Sequence, residues 1–300
     1  MNGLRQKQPK ICDLPKRLLA LLSKRHLLQI IKASMFVVIN MPKPRIGLSM
    51  LFCLGEPFPS LLKHLREVDV RHVEIVDEGS HALNNRRITS LKKMAEAGDL
   101  DFVVHAPFAG INIAVPSPVL RRTILKRLEK SIFYAGQLDC RLWLFHPGLQ
   151  TGVSHFYPGR DWQLNLDSIR TLLKIAKKKG VQIAIENVPE PYPFVMKNVQ
   201  DFSRFYHELD DDIGMVLDIA HANLNGKIQD FTSALSEKIV HMHVSDNDGT
   251  HDLHLGIGYG NIDWESVAKE IKKAKYSNVI MLESIEHVKE SLQTLRKLFA

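Results

Sequence analysis

From Arg45 onward, the chain alternates short β-branched runs with longer amphipathic segments, and this alternation occurs eight times. Each run is almost continuously apolar, which is typical of parallel strands buried on both faces. The runs are RIGLSM (45–50), RHVEIV (71–76), DFVVHA (101–106), CRLWLF (140–145), VQIAIE (181–186), IGMVLD (213–218), KIVHMHV (238–244) and NVIMLE (278–283). Eight βα units without a break in composition predict an α/β protein with a closed (β/α)8 TIM barrel.

An open, doubly wound sheet is the competing α/β architecture. It normally carries a glycine-rich turn after its first strand, and the segment LSMLFCLGEPF around the end of the first run contains no such turn. Gly256, Gly258 and Gly260 come after the seventh run instead, where they predict a flexible loop. The closed barrel is therefore the better prediction.

Composition excludes several classes of protein. The 300 residues are 45% hydrophobic and 24% charged, which are ordinary globular values and exclude intrinsic disorder. No uncharged apolar stretch approaches the roughly 18 residues that a membrane-spanning helix requires. The three cysteines form no C-x-x-C motif and leave one thiol over, which argues against a disulfide framework. The sequence therefore predicts a cytoplasmic protein that does not span a membrane.

The net charge of +7 is concentrated at one end of the chain. Residues 1–44 carry nine Lys or Arg and one Asp, whereas residues 45–300 carry 31 Lys or Arg and 32 Asp or Glu. The predicted organisation is a basic N-terminal extension, 1–44, followed by a barrel domain, 45–300. The extension is interpreted as an amphipathic helix that lies on a membrane surface or binds nucleic acid, as a loosely packed helix, or as untranslated residues before Met35 or Met41. The last two are favoured, because no later motif depends on this segment.

Candidate functional residues lie where the predicted strands end. In a (β/α)8 barrel the active site is built at the carboxyl ends of the strands. Six consecutive runs, the third to the eighth, deliver histidines or carboxylates there or in the loop that follows. These residues are His105, His146, Glu186, Asp218, His221, His243, Asp252, His254 and Glu283. His241 and His251 lie nearby and are interpreted as structural histidines.

Each of these residues alone has an ordinary explanation, such as a hydrogen-bonded histidine or a helix N-cap. Together they do not, because four converging carboxylates repel one another unless cations neutralise them. Imidazole and carboxylate ligands without cysteine suit Zn²⁺, or Mn²⁺ and related divalent ions. Since Zn²⁺ takes about four ligands, nine residues with bridging carboxylates are enough for two or three ions.

With these residues identified, the segment 45–300 resembles the superfamily that unites endonuclease IV (AP endonuclease family 2) with xylose isomerase-like sugar isomerases and epimerases. The resemblance implies up to three zinc ions, with Glu186 as a bridging ligand. The first would be held by His105, His146 and Glu186, the second by Glu186, Asp218, His243 and Glu283, and the third by His221, Asp252 and His254. The segment HAPFAGINIA also resembles the family, which implies that Phe108 stacks on a sugar or base and that Asn112 binds substrate.

Some segments depart from the endonuclease IV pattern. The first predicted strand has Leu48 where that family usually has histidine, and VPEPYPF after the fifth strand lacks the glycine-rich stretch of the repair enzymes. The segments LDIAHAN, HVSDNDG and IDW are closer to the sugar isomerase branch. The barrel domain also has no basic excess with which to grip DNA.

The resemblance leaves two reactions open. A metal-dependent hydrolase would use three ions to cut DNA at an abasic site, with Glu186 orienting the attacking water. A sugar or sugar-phosphate isomerase or epimerase would hold one ion and use Glu186 and Glu283 as acid and base. A single ion gives no reason to gather Asp252 and His254 with His221, so the sequence narrowly favours the hydrolase. A metal-dependent binding module is least favoured, because ionisable groups are so dense here. No protein partner is implied.

Overall fold

The computed structural model describes residues 43–226 and 228–300, and the predicted basic extension up to residue 42 lies outside the described residues. Eight parallel strands form a closed barrel in sequence order, and β8 pairs with β1 to close it. They are β1 (Arg45–Ser49), β2 (His72–Val76), β3 (Asp101–His105), β4 (Leu142–Phe145), β5 (Ile183–Glu186), β6 (Gly214–Asp218), β7 (Ile239–Val244) and β8 (Val279–Leu282). The closed (β/α)8 barrel is thus confirmed, and every observed strand lies within its predicted run.

Helices connect the strands. They are α1 (Phe58–Glu67), α2 (Asn85–Gly98), α3 (Pro118–Gln137), α4 (Arg160–Lys179), α5 (Val199–Leu209), α6 (Ile219–Leu224), α7 (Ile228–Ala234), α8 (Trp264–Lys273) and α9 (Val288–Leu298). The start of α5 is fixed by a capping box, in which the Asn198 and Asp201 side chains each accept from the other's backbone N–H. The end of α4 is fixed by Gly180, whose φ of +68° is the left-handed conformation that glycine adopts without strain.

The packing inside the barrel shows why the side chains at the strand ends converge on one point. Val103, Ala184, Val216 and Met281 belong to one buried apolar cluster. Each lies two positions before His105, Glu186, Asp218 or Glu283. Because side chains alternate between the two faces of a strand, residues two apart share a face. The candidate site residues therefore point into the barrel, directly above an apolar layer that fills it.

A larger core lies between the outer face of the barrel and the helices. Trp143 and Phe145 on β4 stack with ring centroids 5.2 Å apart, and the indole N–H of Trp143 donates to buried Ser131 on α3.

None of the helices in the described part of the chain has the length and apolar character needed to cross a lipid bilayer.

Candidate metal centre

The carboxylate of Glu186, the last residue of β5, lies at the middle of the predicted site. Its Oε2 is 3.3 Å from Nε2 of His146 and 3.6 Å from Nε2 of His105. Its Oε1 is 3.2 Å from Nδ1 of His243 and 3.5 Å from Nδ1 of His221. One carboxylate thus contacts histidines that follow or belong to four other strands, which is the position that a bridging ligand requires.

Two sets of the ligands predicted from the sequence converge tightly. The first, which we call the strand-end cluster, comprises Glu186, Asp218, His243 and Glu283, and it offers four donor atoms that all lie within 4.8 Å of one another. The second comprises His105, His146 and Glu186 and meets the same distance limit. Four convergent nitrogen and oxygen donors are the usual complement for one zinc or a similar divalent ion.

A third set, which we call the loop trio, comprises His221, Asp252 and His254. Oδ2 of Asp252 lies 3.2 Å from Nε2 of His221 and 3.4 Å from Nε2 of His254. The trio is not among the sets of described residues whose donor atoms all lie within 4.8 Å of one another. All nine predicted ligands therefore lie at one rim. In the loop trio, Asp252 contacts both histidines directly, and the three donor atoms do not all converge.

The tautomers of two histidines are fixed by backbone carbonyls. Nδ1 of His105 lies 2.7 Å from the oxygen of Ala106, and Nδ1 of His221 lies 2.9 Å from the oxygen of Asn187. A neutral imidazole has one N–H and one lone pair, so donation from Nδ1 leaves the lone pair on Nε2. Nε2 of His105 then faces Glu186, and Nε2 of His221 faces Asp252, as expected of ligands oriented by a hydrogen bond at the other ring nitrogen.

Asn187 also fixes Asp218. Its side-chain oxygen accepts from the backbone N–H of Asp218 at 2.7 Å, and its side-chain N–H donates to the backbone oxygen of Asp218 at 3.0 Å. Oδ1 of Asp218 in turn accepts from the backbone N–H of His221 at 2.6 Å, where it caps α6. Asp218 is therefore the N-cap of this helix, and its other carboxylate oxygen remains for a second partner.

Several buried polar atoms of the predicted ligands have no hydrogen-bond partner among the described residues. They include Oε2 of Glu186, Oδ2 of Asp218 and Oδ1 of Asp252. A buried acceptor without a partner is costly, and most in folded proteins are satisfied. The unpartnered oxygens of Glu186 and Asp218, whose donor atoms converge in the strand-end cluster, fit a divalent cation, so the residues present suit the metal that the sequence predicts.

The cluster strongly perturbs the pKa values of its own members. Burial, together with the charges of Glu186 and Glu283, raises the pKa of Asp218 to about 7 despite the opposing effect of His221. Burial disfavours the protonated forms of His105 and His221, but their carboxylate neighbours outweigh it. The pKa of His105 rises to about 9 and that of His221 to about 10. Groups perturbed in this way are typical of functional sites.

Glu74 on β2 belongs to the site, although sequence analysis did not single it out. Its Oε2 lies 3.0 Å from Nε2 of His243, and its Oε1 accepts from the hydroxyl of Ser49 at 2.8 Å. Burial favours the protonated acid, but the contact with His243 prevails and lowers the pKa of Glu74 to about 2. The available signal was a carboxylate between Val73 and Ile75 in a buried strand, where an unpaired charge is not tolerated.

Asp246 is the second residue that sequence analysis missed. It is fully buried at the start of the loop between β7 and α8. Its carboxylate accepts from the backbone N–H groups of Gly258 and Ile262, at 2.9 and 3.2 Å, and from the indole N–H of Trp264 at 2.8 Å. A Cβ on Gly260 would lie 2.3 Å from the Asn247 oxygen, so the backbone packs closely there. The predicted flexible glycine loop is instead a packed turn, and it carries Asp252 and His254.

The other predicted residues have clear positions. The Phe108 ring is 37% exposed and lies 5.6 Å from the His105 ring, centroid to centroid. The Asn112 amide accepts from the backbone N–H groups of Leu149 and Ala114 and donates to the Leu149 oxygen, so it holds two loops together. Its predicted contact with substrate stays a prediction.

The two histidines interpreted as structural differ in their surroundings. His241 is buried, and burial together with the charge of His243 lowers its pKa to about 3. His251 is exposed, and its ring contacts Asp248 and Thr250 in the same loop. Neither ring contacts Glu186 or the loop trio.

A cavity of about 400 Å³ opens beside the predicted ligands. One side of it is formed by predicted ligands, namely His105, His146, His221, Asp252, His254 and Glu283. The other side is apolar and includes the rings of Phe108, Tyr192 and Phe194. No lysine or arginine lines this cavity in the described part of the chain.

The surrounding loops are also poor in cations. The segments between strand ends and the helices that follow are 50–57, 77–84, 106–117, 146–159, 187–198, 245–263 and 283–287. They contain ten Asp or Glu and one Lys or Arg, which is Lys197. Lys197 is paired with Glu190, with Nζ 2.7 Å from a carboxylate oxygen. The rim therefore has little with which to attract a polyanion.

Comparisons with known proteins agree with this geometry. The sequence profile of a family described as xylose isomerase-like TIM barrel matches residues 62–298. An uncharacterised protein of Methanocaldococcus jannaschii is 29% identical over 244 residues, which is 80% of this chain and 83% of that protein.

Relatives with named activities fall into two classes. A probable endonuclease 4 of Malacoplasma penetrans is 27% identical over 63% of this chain and 70% of its own length. A D-psicose 3-epimerase of Ruminiclostridium cellulolyticum is 23% identical over 66% of this chain and 68% of its own length. Among solved structures, a D-tagatose 3-epimerase-like protein superposes with a TM-score of 0.80 at 28% identity, covering 85% of this chain and 96% of that one.

Proposed function

The chain belongs to the xylose isomerase-like TIM barrel family, and on that premise we propose that it is a divalent-metal-dependent isomerase or epimerase of a small, uncharged sugar. The observation that carries the proposal is the difference between the two groups of ligands. The strand-end cluster offers four convergent donors, which is a complete set for one ion, whereas the donors of the loop trio do not converge.

The cavity supports a small substrate. Its volume of about 400 Å³ lies within the range of small-molecule sites. The lack of lysine and arginine in its lining disfavours a phosphorylated substrate, because the negative charge of the phosphate would have no partner there. In this proposal the exposed face of Phe108 packs against the apolar face of the sugar ring, as the sequence suggested.

When bound at the strand-end cluster, a divalent ion supplies Lewis-acid polarisation of the carbonyl and neighbouring hydroxyl of the sugar. We assign the proton transfers at the carbon next to the carbonyl to Glu186 and Glu283, as acid and base. Glu283 lines the cavity, and Oε2 of Glu283 lies 3.2 Å from Nδ1 of His243. His221 and His254 also line the cavity, and Asp252 contacts Nε2 of both. Because Nδ1 of His221 already contacts the Asn187 carbonyl, we assign the hydrogen bond to a substrate hydroxyl to Nδ1 of His254, which has no partner among the described residues.

Solvent deuterium exchange tests this proposal. Protein loaded with Mn²⁺ is incubated in deuterated buffer with a panel of free ketoses, and proton NMR follows exchange at the carbon next to the carbonyl. We expect exchange and isomer formation with at least one ketose, lost on chelation and restored by Mn²⁺. The proposal is wrong if metal-loaded protein exchanges no ketose in the panel and instead cuts DNA.

A second candidate function is a hydrolase of the endonuclease IV kind, which cuts DNA at abasic sites. Its support is that Asp252 contacts both His221 and His254, so that all nine predicted ligands lie at one rim. In this candidate the chain binds up to three Zn²⁺ ions, and Glu186 orients the attacking water. The discriminating measurements are the number of ions per chain and the nicking of a duplex that contains one abasic site.

A further inference from the structure

Glu74 is a carboxylate in the middle of a buried strand, a location where charged side chains are rare. It is the middle residue of β2, lies between buried Val73 and Ile75, and is 0% exposed. Its two oxygens are used separately, since Oε1 accepts from Ser49 and Oε2 faces His243. A buried carboxylate persists only where such partners compensate its loss of water.

His243 faces two groups of carboxylates at once. Its Nδ1 lies 3.2 Å from oxygens of both Glu186 and Glu283, in the strand-end cluster. Its Nε2 lies 3.0 Å from Glu74. A neutral imidazole carries its proton on one nitrogen only, so if Nδ1 binds an ion then Nε2 must carry the proton and donate it. Glu74 is the acceptor on that side.

We infer that Glu74 is a positioning residue that makes His243 a strong Nδ1 ligand at the strand-end cluster. It fixes the tautomer and the ring orientation of His243, and its negative charge makes the imidazole more basic. His105 and His221 are oriented by neutral backbone carbonyls, so His243 alone of these three has a carboxylate behind it. The inference rests on the proposed metal centre and not on the reaction assigned to it.

The same residues also permit a different interpretation. Glu74, His241 and His243 offer donor atoms within 4.8 Å of one another and would suit an ion of their own. That ion would need the lone pair of Nε2 of His243, whereas an ion at the strand-end cluster needs the lone pair of Nδ1. Both can bind only if the imidazole loses both protons. The four donors of the strand-end cluster outnumber the three donors here, so we assign Nδ1 as the ligand atom.

Substitution Glu74→Gln tests the inference, because glutamine keeps the size of the side chain and removes the charge. The dissociation constant of Mn²⁺ is measured by competition with a chromophoric chelator, and the ions per chain are counted by mass spectrometry. We expect the dissociation constant to rise about tenfold, as for other residues that orient metal ligands, with the number of ions unchanged. Asp77→Asn is the matched control, because Asp77 is also buried and directly follows β2 but pairs with Arg127.

The possible outcomes are distinct. Equal Mn²⁺ affinity in the wild type and Glu74→Gln, or equal weakening by Asp77→Asn, overturns the inference and leaves the metal centre intact. Loss of one ion in Glu74→Gln also overturns it, in favour of an ion held by Glu74 itself. If the wild type binds no Mn²⁺, the proposed function fails as well. Should Glu74→Gln not fold, Ser49→Ala removes the hydroxyl that orients Glu74, and we then expect a rise of about threefold; an unchanged dissociation constant there overturns the inference.

Discussion

The strand-end cluster and the loop trio lie side by side at the same rim but are held in different ways. Three of the four residues in the strand-end cluster belong to strands, and Glu283 directly follows β8. Two members of the loop trio, Asp252 and His254, lie in a long loop after β7, and His221 lies on α6. The sheet fixes the first group, whereas hydrogen bonds among loop residues fix the second. The donor atoms all converge in the cluster that the strands hold, and they do not all converge in the trio that the loop contacts hold.

The largest expected effect comes from removing the carboxylate that both tight sets of ligands share. Glu186→Gln replaces a charged bridging oxygen with a neutral amide. We expect Mn²⁺ binding to weaken sharply and ketose exchange to fall on the order of a thousandfold, since both a ligand charge and a proton-transfer group are lost. The control is Glu190→Gln, a change at an exposed residue in the next loop. Wild-type metal binding in Glu186→Gln would show that the strand-end cluster is not the principal site.

The pH dependence of Mn²⁺ binding tests whether the ion displaces protons from the strand-end cluster. Metal binding requires deprotonated ligands, so groups that hold protons near neutrality compete with the ion. The pKa of Asp218 is raised to about 7, whereas contacts with His221 and His254 hold the pKa of Asp252 well below its usual range, although burial opposes them. We expect the apparent dissociation constant to fall about tenfold per pH unit, for each proton displaced, between about pH 6 and 8.

Calorimetry in two buffers of different ionisation enthalpy counts the protons released in that range. Because the Asp218 carboxylate of the strand-end cluster has a pKa raised to about 7, the affinity must decrease as the pH falls through 7. A dissociation constant that does not change between pH 6 and 8 would contradict the assignment of Mn²⁺ to that cluster.

His254→Ala tests whether the loop trio binds an ion or the substrate. If the trio orients substrate hydroxyls, the metal content stays unchanged and the KM for the ketose rises about tenfold, the cost of roughly one hydrogen bond to a charged group. If the trio holds an ion, the metal content falls by about one ion per chain. His251→Ala, three residues earlier on the exposed part of the same loop, is the control. We expect the first result, with metal counted by mass spectrometry.

The smallest effect is expected from the residue that anchors the loop. Asp246→Asn removes a buried charge that accepts hydrogen bonds along the turn from Gly258 to Trp264. We expect the free energy of unfolding in urea to fall by about 1–3 kcal/mol, with a few-fold rise in KM and no change in Mn²⁺ affinity. Asp248→Asn, at an exposed position in the same loop, serves as the comparison. If the Mn²⁺ affinity falls together with the free energy of unfolding, the strand-end cluster depends on the same turn as the loop trio.

The sequence alone predicted the barrel and the residues at its rim for a physical reason. Parallel strands buried on both faces appear as apolar runs, and a closed barrel directs the end of each run to the same place. His105, Glu186, Asp218 and Glu283 are all found at such ends. The rule depends only on local pattern and topology, both of which are visible in the sequence.

The residues that the sequence did not reveal act through contacts across the barrel. Glu74 lies in the middle of its strand, so inspecting strand ends misses it. Its partner His243 is 169 residues further along the chain. Asp246 is the second residue after β7, but its role depends on a turn that begins twelve residues later, at Gly258. Long-range pairs of this kind are set by register and loop packing, which local patterns do not specify. Whether the loop trio binds an ion also depends on loop packing, which local patterns do not specify.

The order of the strands around the barrel has a consequence for how the two halves of the chain respond to an ion. All four residues of the strand-end cluster come from β5 to β8 or directly follow them, whereas His105, Phe108 and Glu74 belong to the first half of the barrel. An ion at that cluster ties together four neighbouring strands, and its binding free energy adds to the stability of that half. In hydrogen-exchange experiments, amides of β5 to β8 should therefore gain the most protection on metal binding. The first half supplies the Phe108 ring and the positioning carboxylate of Glu74, so its loops can change substrate preference without dismantling the ion site.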